Sequence, residues 1–153
     1  MIGVISDTHS LLRPQALDAL RGASHILHAG DVGDIAILDA LRAIAPVTAI
    51  RGNIDTRGRT AELPATEAIE LNGHLIYMLH SVADLDLNPH AAGISVVISG
   101  HSHKPKVNVH KGVLYLNPGS AGPRRFSLPI SVAHLHLELG TPPRAEIIEL
   151  PIA

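Results

Sequence analysis

The sequence predicts a layered α/β fold built on mixed β-sheets. Three observations carry the prediction. The N-terminal part alternates short apolar strands, polar loops and helices. The C-terminal part is mostly β: VLYLNPGS, SVAHLHLEL and AEIIELPI are separated by Gly/Pro turns. Alternating β and α followed by mostly β is the pattern of such a layered fold. Finally, 153 residues with 46% hydrophobic and 17% charged content suffice for one core, so residues 1–153 are expected to form a single domain.

Taken in order, Ile2–Ile5 is a β-branched apolar run. Pro14 suits a first helical turn, and Ala16, Leu17 and Leu20 follow at helical spacing. His25–His28 reads as the second strand. Asp34 is placed to cap a helix carrying Ile35, Leu38, Leu41 and Ala45. Val47–Ile50 is the third strand. Ala68–Leu71 and His74–Leu79 form a hairpin across Asn72-Gly73. A short helix is expected around Leu87–Ala92, then a strand at Ile94–Ser99. His134 and His136 alternate with apolar residues, as on the solvent face of a strand.

Composition narrows the function. With no cysteine, disulfides and thiolate metal sites are excluded. The segment MIGVISDTHS lacks a basic n-region, and no stretch approaches the roughly 18 apolar residues of a membrane span, so a cytoplasmic protein is expected. A net charge of -2 and 2% aromatic residues argue against nucleic-acid binding.

The strand ends are more informative. Ile2–Ile5 runs into Asp7 and His9, His25–His28 into Gly30-Asp31, and Val47–Ile50 into Gly52-Asn53. His74–Leu79 ends at His80, and Ile94–Ser99 at Gly100, His101, Ser102 and His103. Taken singly, a DTH or a GD is more often an ordinary turn. In open α/β sheets, however, ligands bind beyond the carboxyl ends of the strands. Five strands delivering Asp, His, Asp, Asn, His, His and His to that edge point to a metal site. The glycines before Asp31, Asn53 and His101 would permit a close backbone approach.

Together DTH, GD, GN, a lone His after a strand, GHSH and NPGS (Asn117–Ser120) resemble the calcineurin-like metallophosphoesterases, most closely the small single-domain phosphodiesterase branch. The resemblance implies a four-layer α/β/β/α sandwich of two mixed sheets flanked by helices, holding two divalent metals. Carried over by position, Asp7, His9, Asp31 and His103 would hold one ion. Asp31, Asn53, His80 and His101 would hold the other, with Asp31 bridging. The implied ions are transition metals, Mn foremost, with Ni, Co, Fe or Zn as alternatives, and imidazole suits these better than Mg or Ca. The implied activity is hydrolysis of a phosphate ester, most readily a diester, by a metal-bound hydroxide without a covalent intermediate. Asn53 is also a candidate phosphate contact.

Two departures from the family stand out. Many members read GNH followed by an acid, with that His near the leaving group. Here Ile54 and Asp55 follow Gly52-Asn53, and Ile54 has no proton to give. His80 is followed by Ser81 where the family usually has Gly, and serine tolerates positive φ poorly. Arg124, of the pair Arg124-Arg125, is a candidate contact for a substrate phosphate. Asn117-Pro118-Gly119 reads as a structural turn beside the site. The expected partner is a small phosphate ester, and the apolar β-rich tail is a candidate homo-oligomer interface. The rival reading is a non-catalytic metal-binding scaffold of the same fold, acting through protein contacts. Loss of ligand residues would be its mark, and here none is lost.

Overall fold

The computed structural model describes residues 1–152; Ala153, the last residue of the expected domain, lies outside the described residues. Its ten strands are β1 (Ile2–Ile5), β2 (His25–His28), β3 (Val47–Ala49), β4 (Thr66–Leu71), β5 (His74–Leu79), β6 (Ile94–Ile98), β7 (Lys106–His110), β8 (Val113–Asn117), β9 (Ser131–His136) and β10 (Arg144–Glu149). The α-helices are α1 (Pro14–Leu20) and α2 (Ala36–Arg42).

The strands form two mixed five-stranded sheets, ordered β10-β9-β1-β2-β3 and β4-β5-β6-β8-β7. β1, β2 and β3 pair parallel, as do β5, β6 and β8. Antiparallel strands close the first sheet through β9 and β10, and the second at both edges. Side chains alternate across each sheet. Ile2 and Val4 of β1 therefore join Leu27, Ile76, Met78, Val96 and Ile98 between the sheets. Ile5 and Ile26 face the other way, against Leu20 of α1 and Leu38 and Leu41 of α2. The α/β layering predicted from the sequence is present.

The outer layer on the second sheet is thin: a 3-10 turn at Val82–Asp84, with Leu85 packing on Leu79, Ile94 and Val97. The helix expected around Leu87–Ala92 is instead a run of turns. Pro89 disfavours helical backbone at Asn88, and Gly93 ends the segment with a positive φ. β7 was not anticipated. Its residues are all exposed, so the strand carries no buried run, but a Lys111-Gly112 turn with both residues at positive φ pairs it with β8. His134 does not face bulk solvent alone, because its Nε2 lies 2.7 Å from the Ala19 carbonyl oxygen of α1. Among the described residues no helix is long and apolar enough to cross a membrane.

Candidate metal centre

Parallel pairing continues past the strands into the loops that carry the candidate ligands. Asp7 N–H donates to the Gly30 carbonyl at 3.0 Å, and His9 N–H to that of Asp31 at 2.9 Å. The Gly100 N–H donates to the His80 carbonyl at 2.9 Å in the second sheet. The carboxyl ends of both sheets thus meet at one edge. There Asp7, His9, Asp31 and Asn53 come from the first sheet, and His80, His101 and His103 from the second.

Each carboxylate uses one oxygen for structure and turns the other inward. Asp7 is fully buried, and its Oδ2 accepts from Ser6 Oγ at 2.8 Å and from His101 N–H at 3.1 Å. Asp31 Oδ1 accepts from the Ile54 N–H at 3.1 Å. The inward oxygens meet imidazoles. Asp31 Oδ2 lies 3.2 Å from Nε2 of both His9 and His80. Asp7 Oδ1 lies 3.5 Å from His103 Nε2, 3.7 Å from His80 Nε2 and 3.9 Å from His9 Nε2.

Asp7 Oδ1, His9 Nε2 and His103 Nε2 are buried with no hydrogen-bond partner. Buried polar atoms are rarely left so, because each forfeits its solvation. His80 makes the same point. Its Nδ1 lies 2.8 Å from the Ala29 carbonyl oxygen, which can only accept, so the ring proton sits on Nδ1. The Nε2 lone pair then faces carboxylate oxygen, an arrangement that a cation relieves and that second-sphere carbonyls commonly fix in metal-binding histidines. Asn53 turns its carboxamide to the same cluster. With nitrogen inward it donates to Asp31 Oδ2 at 3.2 Å and His80 Nε2 at 3.1 Å, and with oxygen inward it adds an acceptor suited to a cation. The donors group as Asp7, His9, His103 and as Asp7, Asp31, His80, each set within 4.8 Å. The residues present fit divalent metal. His101 stands at the rim, exposed, its ring 5.2 Å from that of His80.

The carboxylates and imidazoles of the cluster shift one another's protonation. The Asp7 carboxylate, helped by Asp31, holds His9 above its ordinary pKa. Burial is the largest influence on His80 and works against its protonation, but the contacts with Asp31, the Ala29 carbonyl and the Asp7 charge together outweigh it, and the net shift is upward. Burial is likewise the largest influence on Asp31 and opposes its ionisation, but His80, the Ile54 N–H and His9 together bring the pKa down. At His103 burial prevails and lowers the pKa.

The backbone is strained at the same place. Asp7, His9, Asp31, His101 and His103 have φ of 55°, 46°, 55°, 70° and 61°. Left-handed conformations cost non-glycine residues about 1 kcal/mol or more each, and such strain clusters at functional sites. Ser81, by contrast, is extended at φ -117°, so the family's glycine is not needed there. Two glycines matter for proximity. A Cβ on Gly52 would collide with Asp31, and one on Gly100 with Ser6 and Asp7. Asn117 is structural, donating from Nδ2 to the Gly100 carbonyl at 2.9 Å and accepting from Gly119 N–H at 2.9 Å.

Arg124 is not brought to the cluster; it is exposed, and its Nη1 donates to the Leu128 carbonyl at 3.3 Å. The neighbouring Arg125 bears on the site, its charge opposing protonation of His9 and His103. Two residues passed over in the sequence also shape the centre. The Asp55 carboxylate accepts from Val32, Gly33 and Gly52 N–H at 3.1, 2.9 and 2.9 Å, joining the GD and GN loops. Buried His28 accepts from Gly30 N–H at 3.1 Å and contacts Thr8 Oγ1 at 3.0 Å. An acid two residues after the GN asparagine was the available signal for Asp55. None marked His28.

Residues 1–140 match the calcineurin-like phosphoesterase superfamily domain. A probable metallophosphoesterase from Methanocaldococcus jannaschii is 38% identical over 133 residues, covering 78% of this chain and 67% of that protein. Among solved structures, an archaeal phosphodiesterase superposes with a TM-score of 0.78 at 21% identity, over 96% of this chain and 99% of that one. Vps29 from Chaetomium thermophilum superposes with a TM-score of 0.76 at 20% identity, over 98% and 97%. At such identities the two structures speak for the fold alone.

Proposed function

The chain belongs to the calcineurin-like phosphoesterase superfamily, and on that premise we propose that it is a phosphodiesterase working with two divalent ions. Asp7, His9, Asp31 and His103 would hold one ion, and Asp31, Asn53, His80 and His101 the other. The observation that carries the reading is the convergence of Asp7 Oδ1, His9 Nε2 and His103 Nε2, all buried and unpartnered, beside the oxygen of Asp31 that two imidazoles share. Imidazole beside carboxylate and amide donors suits divalent transition metals, of which Mn is the first to test, with Ni, Co, Fe or Zn as alternatives. Bound divalent ions supply Lewis acidity toward a phosphoryl oxygen and acidify water.

The chain's own residues set the rest. Asp7 and Asp31 supply two negative charges against four from two divalent ions, which leaves a positive site for a phosphate monoanion. Asn53, exposed at the rim, would donate to a phosphate oxygen through its amide nitrogen. Ile54 offers no proton to the departing oxygen, so activated aryl esters should outpace alkyl esters. Arg125 rather than Arg124 is the cation to test against the phosphate, since its charge is felt at His9 and His103.

The test is hydrolysis of bis(p-nitrophenyl) phosphate beside p-nitrophenyl phosphate, on metal-stripped protein with Mn, Ni, Co, Zn or Mg restored. His9→Ala runs in parallel. Metal-dependent diester turnover, lost in the variant, is the expected result. No turnover with any metal, despite two ions bound, would instead favour a metal-binding scaffold.

A further inference from the structure

Next to the metal cluster, on the outer face of the second sheet, lies a cavity of about 750 Å³. It shares a wall with the cluster, because His101 lines it and so does Ser81, the residue after His80. From there it runs along β7 and β8. Alternation along β7 turns Lys106, Asn108 and His110 to one face, and the pairing of Asn108 with Tyr115 sets Tyr115 beside them. These four residues, with Lys104 from the preceding loop, line the cavity.

Its charge is one-sided. The chain as a whole is net -2, yet two lysines line this cavity and no Asp or Glu does. No ion pair among the described residues involves a lysine. Two uncompensated ammonium groups in a concave, partly apolar wall attract an anion more strongly than they would on an open surface. The volume falls within the roughly 300–1,000 Å³ of small-molecule sites, so a compact ligand is a better match than a polymer.

We infer that the substrate carries a second anionic group, phosphate or carboxylate, on the arm beyond the scissile phosphate, and that Lys104 and Lys106 bind it in this cavity. The inference rests on the phosphoesterase reading, because it places the scissile phosphate at the cluster across His101. It narrows that reading from phosphate esters at large to esters with an additional acidic group. Lys106 belongs to an edge strand whose residues are all exposed, and its face toward the cavity gives that strand a use beyond sheet closure.

The experiment measures competitive inhibition of bis(p-nitrophenyl) phosphate hydrolysis by matched probes. The monophosphate of 1,3-propanediol is set against its bisphosphate, the longer 1,6-hexanediol bisphosphate and 3-phosphonooxypropanoate, which separates phosphate from carboxylate as the second anion. At least one doubly anionic probe should inhibit tenfold or more tightly than the monophosphate. That ratio should fall toward one in Lys106→Ala and in Lys104→Ala/Lys106→Ala. The ratio is read within each variant, so a general loss of activity cancels. Equal inhibition by all probes, or an advantage that survives the double substitution, would overturn the inference. Calorimetric binding of the same probes to Mn-loaded protein gives the comparison independently of turnover. A lysine-dependent advantage without hydrolysis would sustain the anion site and sink the phosphoesterase reading alone.

Discussion

His9 and His80 approach the same atom, Asp31 Oδ2, each at 3.2 Å, from loops that follow strands of different sheets. One carboxylate oxygen therefore couples the two halves of the sandwich at their shared edge. If this oxygen serves both ions, removing its charge should cost both. Asp31→Asn is expected to retain less than one metal per chain after dialysis against Mn, and to lose diester turnover by at least about 100-fold. His101→Ala, at the exposed rim, should still retain one ion. Metal analysis of the dialysed proteins decides the point; two tightly held ions in Asp31→Asn would rule out a shared ligand.

Ile54 occupies the place where many relatives carry a leaving-group acid. It is 41% exposed, and its N–H holds Asp31 Oδ1, a bond that any residue but proline keeps. Ile54→His should thus add an imidazole without disturbing Asp31. General acid catalysis gives roughly 10²–10⁴-fold when well placed, and it helps poor leaving groups most. The ratio of phenyl to p-nitrophenyl diester turnover is expected to rise about tenfold or more. An equal change for both esters would mean that the imidazole does not reach the departing oxygen.

What the sequence made legible was the chemistry at strand ends. Asp7, His9, Asp31, Asn53, His80, His101 and His103 follow short apolar runs, and the β-to-loop transition is a local signal that survives without any knowledge of pairing. The geometry that holds them was not legible, since it depends on contacts between loops. Asp55 reaches Val32 and Gly33, which lie more than twenty positions earlier in the chain. The positive φ of Asp7 and Asp31 occurs where Gly100 and Gly52, from distant parts of the chain, leave room for their carboxylates, a closeness that no local pattern announces. β7 escaped notice for the opposite reason: an edge strand that buries nothing has no apolar face to read.

Asp55 is 2% exposed and satisfies three backbone donors with one carboxylate. Bonds to a charged acceptor contribute more than neutral ones, and a buried donor left unmatched costs about 1–3 kcal/mol. Asp55→Asn presents an amide nitrogen to at least one of these donors. A loss of about 3 kcal/mol is expected, lowering the melting temperature by roughly 6–12 °C for a chain of this size. Because the GD and GN loops carry Asp31 and Asn53, metal affinity should fall with it. Thermal unfolding with and without Mn reads both effects, and a variant as stable as the parent would show that the three bonds are replaceable.

His28 links the DTH and GD loops from below, and its protonation state follows from its partners. Gly30 N–H donates to Nδ1, so the ring proton lies on Nε2 and is given to Thr8 Oγ1, whose own proton goes to the Val32 carbonyl at 2.9 Å. Complete burial lowers the pKa from 6.5 to about 4. Between those values the unfolded chain takes up a proton that the folded chain refuses. His28 therefore imposes no penalty above pH 6.5, and stability is progressively lost as the pH falls from there toward 4. The full loss is roughly 3 kcal/mol. His28→Gln should be less stable than the parent at pH 7, since it forfeits the paired bonds, but it has no such titration. Urea unfolding of the metal-stripped proteins at pH 7 and pH 4.5 should show the gap between parent and variant narrowing as acid is added. Parallel losses in the two proteins would assign the acid sensitivity to other groups.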